Sequence, residues 1–402
     1  MNYGPIEMVV LQGTSFCNLN CSYCYLSEES RRRSQSMSAE TIRAAFQSIF
    51  ASSLVGERLR VSWHSGEPFV LKPDYYREAI EIILDECARS GKNQTLVDFD
   101  FQTNGTLISD AWIRFLKDFE DQVTLGISCD GPAFLHDRHR KNWSGQSSHA
   151  ATEKGMQALC AAGIDFDVTA VVSPDGLDHA EDFITYFEPF SDHIREFHFN
   201  LHDELFIHPD DRSKIEDYAR RYETFLTRLL ETISTDGRRL PKIRNFSSFY
   251  NRLFVDPVNR PQYDARNMSA PFKTVSIEIN GDVTTFYAGL TLDECGDLQD
   301  LYGDQRGFVI GNILNQSLDE ITQSEKLKTI EKDFEKSHSA CEAACEYYEV
   351  CSGGYNLIKL RRNGKFDSTE TPECFVHVKT LANTLLNDLD RKAEAKALAE
   401  PA

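Results

Sequence analysis

The segment Cys17-Asn-Leu-Asn-Cys21-Ser-Tyr-Cys24 places three thiols close together near the start of the chain. A cubane iron–sulfur cluster has four iron corners and is normally held by four thiolates, so three clustered thiolates leave one iron free to bind another molecule. Zinc is the alternative, but it takes four ligands, and no fourth Cys or His lies near Cys24. The segment therefore predicts a reactive iron–sulfur cluster with one open corner.

The composition disfavours several classes of partner. The chain has 402 residues, and 43 basic against 63 acidic residues give a formal net charge of −20. This charge disfavours nucleic acid and anionic membranes and suits a basic peptide. No segment approaches the ~20 apolar residues of a membrane span, and no secretion signal is present. We expect a soluble cytoplasmic protein in which the basic run at 31–33 is a solvated loop.

The first part of the chain alternates short apolar runs with amphipathic stretches, which is the pattern of βα units around a parallel sheet. A long amphipathic helix over 215–230 closes the sixth unit. Six units fit a partial (β/α)6 barrel of the TIM type rather than a closed eight-fold barrel. The predicted strands are 8–11, 59–63, 97–101, 123–127, 166–172 and 196–199.

A smaller α+β domain is predicted after the barrel. Asn280-Gly281 is a strong signal for a β-hairpin, and an amphipathic helix is expected near 378–389. We therefore predict a barrel over 1–235, a linking region over 236–272, a second domain over 273–390 and a tail over 391–402.

Polar turn sequences follow the first four predicted strands. The cysteine segment follows the first strand, and the next three strands are followed by Ser65-Gly-Glu-Pro68, Gln102-Thr-Asn-Gly105 and Ser128-Cys-Asp-Gly-Pro132. In a barrel, the loops at the C-terminal ends of the strands carry the chemistry. Each of the last three motifs alone is an ordinary turn, but the order of the motifs predicts a shared site for a polar ligand.

A second cysteine group lies near the end of the chain and consists of Cys341, Cys345, Cys351 and Cys374. Four soft ligands make a filled site for zinc or for a second iron–sulfur cluster. The spacing does not separate these two, but a chain that already assembles one cluster and moves electrons favours iron–sulfur.

Taken together, the motifs resemble those of the radical S-adenosylmethionine (radical SAM) enzymes. The resemblance implies that Cys17, Cys21 and Cys24 hold a [4Fe-4S] cluster whose open iron chelates SAM. An electron from that cluster, supplied by a reductant such as flavodoxin or ferredoxin, cleaves SAM to a 5′-deoxyadenosyl radical. The SAM-binding residues that the resemblance implies are Tyr23, Ser65, Gly66, Glu67, Thr103, Asn104, Ser128, Asp130 and Arg140.

The late cysteines resemble the SPASM extension of radical SAM enzymes that modify peptides and proteins. That extension commonly holds two auxiliary clusters. Here Tyr355 stands where one cysteine of the other cluster is expected, and no cysteine occurs around Phe286, where another is expected. The resemblance therefore implies one auxiliary [4Fe-4S] cluster, held by Cys341, Cys345, Cys351 and Cys374.

A finer resemblance is to the peptide maturases that make three-residue cyclophanes in the glycine-rich-repeat and XYE precursor systems. The segments that carry it are 17–26, 63–68, 130–132 with 136–137, 311–312 and 367–371. It implies that the adenosyl radical removes a side-chain β-hydrogen from a ribosomal precursor peptide with a leader. The carbon radical then adds to an aromatic ring and forms a C–C crosslink. The alternatives are thioether formation, epimerisation and formylglycine generation by a sulfatase maturase.

The crosslinked ring must also lose a proton and an electron. Asp203, Glu204 and Asp282 are candidates for the general base, and the auxiliary cluster is a candidate for the electron acceptor. Because 16 residues precede Cys17, we expect the leader to be recognised by the second domain, by residues 237–271 or by a separate protein.

Overall fold

The computed structural model describes residues 3–202, 211–235, 241–255 and 270–399. The chain divides into two compact units. The first unit comprises Met1–Ser128, Asp137–Phe166 and Asn267–Lys332, and the second comprises Cys129–His136, Asp167–Arg266 and Asp333–Ala402.

The strands in the described residues are β1 (Ile6–Leu11), β2 (Val55–Trp63), β3 (Val97–Thr103), β4 (Val123–Ser128), β5 (Phe166–Val172), β6 (Ile194–Leu201), β7 (Lys242–Ile243), β8 (Thr274–Ile277), β9 (Asp282–Thr285) and β10 (Gly311–Asn312). Each of the six strands predicted for the barrel lies within one of β1 to β6, so those predictions are confirmed.

The helices in the described residues are α1 (Glu28–Arg32), α2 (Ala39–Ala51), α3 (Pro73–Arg89), α4 (Asp110–Asp118), α5 (Ala133–His139), α6 (His149–Ala161), α7 (Ala180–Phe187), α8 (Arg212–Thr235), α9 (Arg244–Phe254), α10 (Leu292–Cys295), α11 (Leu318–Ile321), α12 (Glu325–Ala344), α13 (Tyr348–Cys351), α14 (Asn356–Asn363) and α15 (Leu381–Ala399). A π-helix over Cys374–Thr380 leads directly into α15.

The first unit has a parallel sheet in which β1, β2, β3 and β4 are neighbours in that order. The predicted hairpin is formed by β8 and β9, and Gly281 in its turn has a φ of 85° that favours glycine. The hairpin does not stand apart, because β8 pairs in parallel with β1, and β10 adds to β9 in an antiparallel direction. The hairpin was predicted only as a feature of the second domain. In the structure it extends the sheet of the first unit, next to β1, which leads into the cysteine segment.

Aromatic packing fixes the strand ends of the first unit. Trp63 at the end of β2 is 1% exposed, stacks on Phe101 of β3 at 4.8 Å between ring centroids, and meets Tyr76 of α3 edge-on at 5.2 Å. Buried aromatic pairs of this kind contribute about 0.5–1.5 kcal/mol each beyond the burial of their area. The turn that follows Trp63 therefore starts from a rigid position.

The second unit contains β6 and β7, which pair in parallel, and the long helix α8. Helix α8 packs against α7, the π-helix and α15, and α9 packs against the short helix α13. The predicted long helix over 215–230 is confirmed by α8. Among the helices of the described ranges, none combines the length and apolar character needed to cross a membrane.

Candidate active site

The cysteine segment forms a loop directly after β1, and its backbone is fixed at both ends. The Cys17 N–H donates to the Arg31 carbonyl at 3.1 Å, and the Cys24 N–H donates to the Cys21 carbonyl at 3.2 Å. Burial raises the pKa of the Cys17 thiol above its usual range, and negative charge on Glu67, Cys21 and Cys24 raises it further. The three thiols therefore interact electrostatically, as ligands of one cluster must.

A buried arginine supports this loop, although the sequence placed it in a solvated segment. Arg31 is 6% exposed; its Nε donates to the Leu26 carbonyl at 3.1 Å, and its Nη1 donates to Asn20 Oδ1 at 2.7 Å. Trp143 Nε1 donates to the Cys17 carbonyl at 2.8 Å. The prediction that residue 31 lies in a solvated loop was wrong, because the oxygen atoms inside the loop need hydrogen-bond donors. The contacts of Arg31 and Trp143 with this loop could not be predicted from the spacing of residues in the sequence.

The turn after β2 packs directly against the loop after β1. Ser65 and Gly66 both have left-handed backbones, with φ of 71° and 79°, and the Glu67 N–H donates to the Phe16 carbonyl at 2.9 Å. A Cβ at Gly66 would lie 2.3 Å from the Thr14 carbonyl oxygen. Only glycine fits this close approach between backbones, and a left-handed residue beside it exposes peptide groups to a ligand.

The Glu67 carboxylate joins the ends of β2 and β3. Its Oε1 accepts from the Phe69 N–H at 2.8 Å and from Thr103 Oγ1 at 2.6 Å, and its Oε2 accepts from the Asn104 N–H at 2.7 Å. Glu67 is 1% exposed, and burial raises its pKa to about 7 although these hydrogen bonds and the Arg140 charge act in the opposite direction. The group thus carries a partial charge near neutral pH beside the cysteine loop.

The raised pKa of Glu67 predicts a pH dependence of stability. The folded state binds the proton more tightly than the unfolded chain, so the contribution of Glu67 is largest below its ordinary pKa of 4.5 and is lost as pH rises to about 7. The loss is about 3 kcal/mol of unfolding free energy over this range. Denaturant unfolding without SAM should show this fall in the parent chain.

The control for this prediction is Glu67→Gln, which keeps the size of the side chain and removes the titrating proton. The stability difference between parent and variant should change between about pH 4 and about pH 8. A constant difference over that range would mean that Glu67 does not titrate there.

The loops after β1 and β3 are joined through asparagines. Asn104 Nδ2 donates to Asn18 Oδ1 at 2.8 Å, and Thr152 Oγ1 donates to the Asn104 carbonyl at 2.9 Å. At the end of β4, Ser128 Oγ accepts from Gln102 Nε2 at 2.9 Å. Thr103, Asn104 and Ser128 therefore stand at the C-terminal ends of neighbouring strands, as the motif order predicts.

Tyr23 and Arg140 face each other in the first unit. The guanidinium carbon of Arg140 lies 5.4 Å from the centroid of the Tyr23 ring, within the range of a cation–π contact, and Arg140 is 7% exposed. The His139 ring lies 5.5 Å from the same aromatic ring. This contact places a cation beside the middle of the cysteine loop.

Asp130 belongs to the second unit. It is 5% exposed, its Oδ1 accepts from the Val171 N–H at 2.8 Å, and its own N–H donates to His136 Nδ1 at 3.3 Å. The Asp130 carboxylate is thus anchored to the end of β5.

The four late cysteines form one electrostatic group in the second unit. Burial is the main cause that raises the pKa of Cys351, and Cys341 and Cys345 raise it further. Burial also raises the pKa of Cys374 to about 12, with further contributions from Cys351 and Cys345. Cys374 lies in the π-helix, and the other three cysteines lie between α12 and the end of α13. The tertiary fold therefore brings together thiols that are separated in the sequence.

The segment after Cys351 bends sharply. Ser352, Gly353 and Gly354 have φ of 56°, 96° and 66°, three successive left-handed residues. A Cβ at Gly353 would lie 2.7 Å from His338 Nδ1, so the close approach requires glycine there. The bend keeps the backbone beside the Cys351 thiol, since the Gly353 N–H hydrogen-bonds to that thiol and a Cβ at Gly354 would lie 3.8 Å from Cys351 Sγ.

The two positions where cysteines are missing hold aromatic residues in different surroundings. Phe286, in the first unit, is 1% exposed and has a left-handed φ of 83°. Tyr355, in the second unit, is 54% exposed. A bulky residue in a left-handed conformation is uncommon and costs energy, and here it places a buried hydrophobic ring where the resemblance implies a thiol.

The donor sets fit iron–sulfur clusters. In the part of the chain that the structure describes, no three or more His, Cys, Asp or Glu side chains converge on the position of a single ion. The two groups of electrostatically coupled thiols supply the thiolate donors that iron–sulfur clusters take.

Of the three candidate bases, Asp282 lies within the described residues. Asp203 and Glu204 lie outside the described residues. Asp282 is 5% exposed at the start of β9, where it forms an ion pair with Arg306 and accepts from Asn312 Nδ2 at 2.9 Å. These contacts favour a structural role for Asp282 in the hairpin, and the general-base assignments stay predictions.

Two regions of the chain match known families. Residues 11–187 match the radical SAM superfamily, and residues 269–346 match the iron–sulfur cluster-binding domain called SPASM. An uncharacterised protein, sll1766 of Synechocystis sp., is 32% identical over 390 residues, which is 97% of this chain and 93% of that protein. The cysteine-type anaerobic sulfatase-maturating enzyme of Clostridium perfringens (strain 13 / Type A) is 23% identical over 90% of this chain and 91% of its own length.

Solved structures show the same fold. The structure of anSMEcpe with bound AdoMet and Cp18Cys peptide has a TM-score of 0.74 at 20% identity, covering 97% of this chain and 99% of that chain. Streptococcus suis SuiB bound to precursor peptide SuiA has a TM-score of 0.59 at 16% identity, covering 92% of this chain and 76% of that chain. The predicted fold class, a TIM-like α/β core followed by a SPASM domain, is confirmed.

Proposed function

Because the chain belongs to the radical SAM superfamily and carries a SPASM domain, it is an enzyme that modifies peptides or proteins, and we propose that it forms a cyclophane crosslink in a ribosomally made precursor peptide. In this proposal a side-chain β-carbon loses a hydrogen and bonds to an aromatic ring of the same peptide. The family uses a [4Fe-4S] cluster, SAM and an auxiliary cluster, and these cofactors supply the 5′-deoxyadenosyl radical and a site for electron transfer.

The residues of the first unit suit the binding of SAM. Cys17, Cys21 and Cys24 would hold the cluster that SAM chelates, and Gly66 brings the turn after β2 against the same loop. The buried Glu67 carboxyl accepts hydrogen bonds from three donors, which fixes the turn that we propose to hold the SAM amino group. Arg140 offers a cation for the SAM carboxylate, since a guanidinium fork matches two carboxylate oxygens.

The single observation that carries the choice of reaction is the pattern of auxiliary ligands. Four coupled thiols, Cys341, Cys345, Cys351 and Cys374, form a complete ligand set, while Phe286 is a buried ring where the other auxiliary cluster would need a thiol. We therefore propose one auxiliary cluster. Sulfatase maturases normally hold two, so this ligand pattern favours the cyclophane maturases.

The proposed reaction balances as a loss of two hydrogens from the peptide. The adenosyl radical takes one hydrogen atom from the β-carbon, and the new C–C bond leaves an extra hydrogen and an unpaired electron on the ring. A base removes that hydrogen as a proton, and a redox centre accepts the electron, which restores aromaticity. The net charge of −20 and the peptides bound to anSMEcpe and SuiB support a peptide as the substrate.

Co-expression with short open reading frames next to the gene tests the proposal. We expect one encoded peptide to lose two hydrogens by mass spectrometry, with fragmentation blocked across a three-residue segment that contains an aromatic residue. A peptide of unchanged mass with inverted α-carbon stereochemistry would indicate epimerisation and contradict a crosslink. A crosslink through a cysteine sulfur would indicate a thioether.

Formylglycine generation is the second candidate, because the alignment with the Clostridium perfringens sulfatase maturase extends over 90% of this chain. The two reactions differ in their products. A peptide containing a sulfatase-type Cys or Ser would become an aldehyde that reacts with hydrazine reagents, whereas a cyclophane gives no aldehyde. Aldehyde formation by this enzyme would replace the cyclophane proposal.

A further inference from the structure

A buried lysine lies against one of the auxiliary cysteines. Lys359 of α14 is 4% exposed, and its Nζ donates to Cys341 Sγ at 3.0 Å and to the Ser337 carbonyl at 2.6 Å. Lysine is almost never this deeply buried unless it is paired. The partner here is a thiol that carries negative charge when it binds iron.

Two further cations act on the same thiol group from other elements. Burial is the main influence on the pKa of Cys351 and Cys374 and raises both, whereas Arg252 of α9 lowers that of Cys351 and Lys379 of the π-helix lowers that of Cys374. Arg252 is held in place by a hydrogen bond of 2.7 Å from its Nη1 to the Val350 carbonyl. Three cations thus face one site in a chain of strongly negative net charge.

The amide of Asn356 is a second buried polar group on the same helix as Lys359. Asn356 is fully buried, and neither its Nδ2 nor its Oδ1 has a hydrogen-bond partner among protein atoms. It precedes Lys359 by three residues, so the two side chains lie on the same face of α14. Unpaired buried amides are costly, and an acceptor on this face of α14 would satisfy the Asn356 donor.

We propose that Lys359 is a positioning residue that acts through Cys341 to raise the reduction potential of the auxiliary cluster. The inference rests on the proposed ligation by the four late cysteines. A cluster with four thiolates is an anion, and each electron that it accepts makes it more negative. A buried ammonium stabilises the reduced form more than the oxidised form, because Coulomb energies are larger in a region of low dielectric constant.

The reduction potential of the auxiliary cluster affects the last electron transfer of the proposed reaction. A higher potential makes the auxiliary cluster a better acceptor for the electron that the crosslinked ring gives up. Arg252 and Lys379 act in the same direction, but Lys359 alone of the three has a described hydrogen bond to a cysteine sulfur. Lys359 is therefore expected to have the largest individual effect.

The test is a redox titration of the full-length chain, followed by electron paramagnetic resonance. Cys17, Cys21 and Cys24 are replaced by alanine so that only the auxiliary site can load, and the titration is repeated in the unsubstituted chain. Lys359→Met removes the charge and the hydrogen bond, Lys359→Gln keeps a neutral donor, and Lys359→Arg keeps the charge. The matched control is Lys365→Met, because the Lys365 side chain is 62% exposed and belongs to the same unit.

We expect Lys359→Met and Lys359→Gln to disfavour reduction roughly tenfold, which is a fall of about 59 mV for a one-electron couple. Lys359→Arg should restore most of the parent potential, and Lys365→Met should leave it unchanged. Iron and sulfide analysis of each variant shows whether the cluster is loaded.

Two outcomes would overturn the role of Lys359. Fully loaded Met and Gln variants with the parent potential would show that the charge does not act on the cluster. Loss of iron in both neutral variants would show that Lys359 is needed for assembly rather than for the potential. If the parent chain instead held zinc at this site and gave no resonance signal, the proposed auxiliary iron–sulfur cluster itself would be wrong.

Discussion

We expect replacement of Cys24 with alanine to abolish SAM cleavage, so that 5′-deoxyadenosine falls to the level of a protein-free control. Cys24 is one of three electrostatically coupled thiols on the loop after β1. With two thiolates left, the cluster has no stable set of three corners and the open iron that would chelate SAM is lost. The product is measured by chromatography after anaerobic reconstitution and chemical reduction.

The control for this substitution is Cys160→Ala. Cys160 is a partly exposed free cysteine of α6, outside both cysteine groups. This variant should retain the iron content and 5′-deoxyadenosine yield of the parent chain. Equal product from Cys24→Ala and from the parent would contradict both the ligand assignment and the radical mechanism.

Replacing Gly66 with alanine should destabilise the turn that brings β2 to the cysteine loop. The new Cβ would lie 2.3 Å from the Thr14 carbonyl oxygen and 2.8 Å from the Ser15 carbonyl carbon, both of which are backbone atoms. A left-handed backbone costs an L-residue about 1–2 kcal/mol. Overpacking against rigid neighbours adds about 1–3 kcal/mol. The expected loss is therefore about 2–5 kcal/mol of unfolding free energy, together with weaker SAM binding.

Gly91 provides a matched control for Gly66. Its φ of 76° is close to the 79° of Gly66, but a Cβ built on Gly91 meets no atom within 4 Å. Gly91→Ala should therefore cost only the left-handed term of about 1–2 kcal/mol. Denaturant unfolding and equilibrium dialysis with SAM compare the two variants. Equal losses in both variants would mean that the close approach at Thr14 does not constrain the turn.

Much of the fold could be predicted because its signals are local. The alternation of apolar residues identified the strands that became β1 to β6, and Asn280-Gly281 identified the β8–β9 hairpin. These patterns reflect periodicity and turn geometry, which depend on neighbours in sequence. The pairing of β8 with β1 could not be predicted, since it joins segments separated by more than 260 residues and depends on which edge of the sheet is free.

The supporting residues of the site were the part that sequence reasoning missed. Arg31 was assigned to a solvated loop, yet it is buried because loop oxygens require its guanidinium. No sequence pattern points to Trp143, whose ring nitrogen donates to the Cys17 carbonyl at 2.8 Å. Glu67 was expected as part of a SAM-binding turn, but nothing in its motif predicted that it joins β2 to β3 through Thr103.

The sequence by itself determined the chemistry of this protein, because the identity and short spacing of Cys17, Cys21 and Cys24 specify an iron–sulfur cluster with an open corner. The tertiary structure alone decided the surroundings of the clusters. The Lys359 ammonium lies 3.0 Å from Cys341 across 18 positions of sequence, and a ring occupies the core at Phe286. Ligand identity is a property of residue type, whereas charge and burial at a ligand depend on which distant segments the fold brings together.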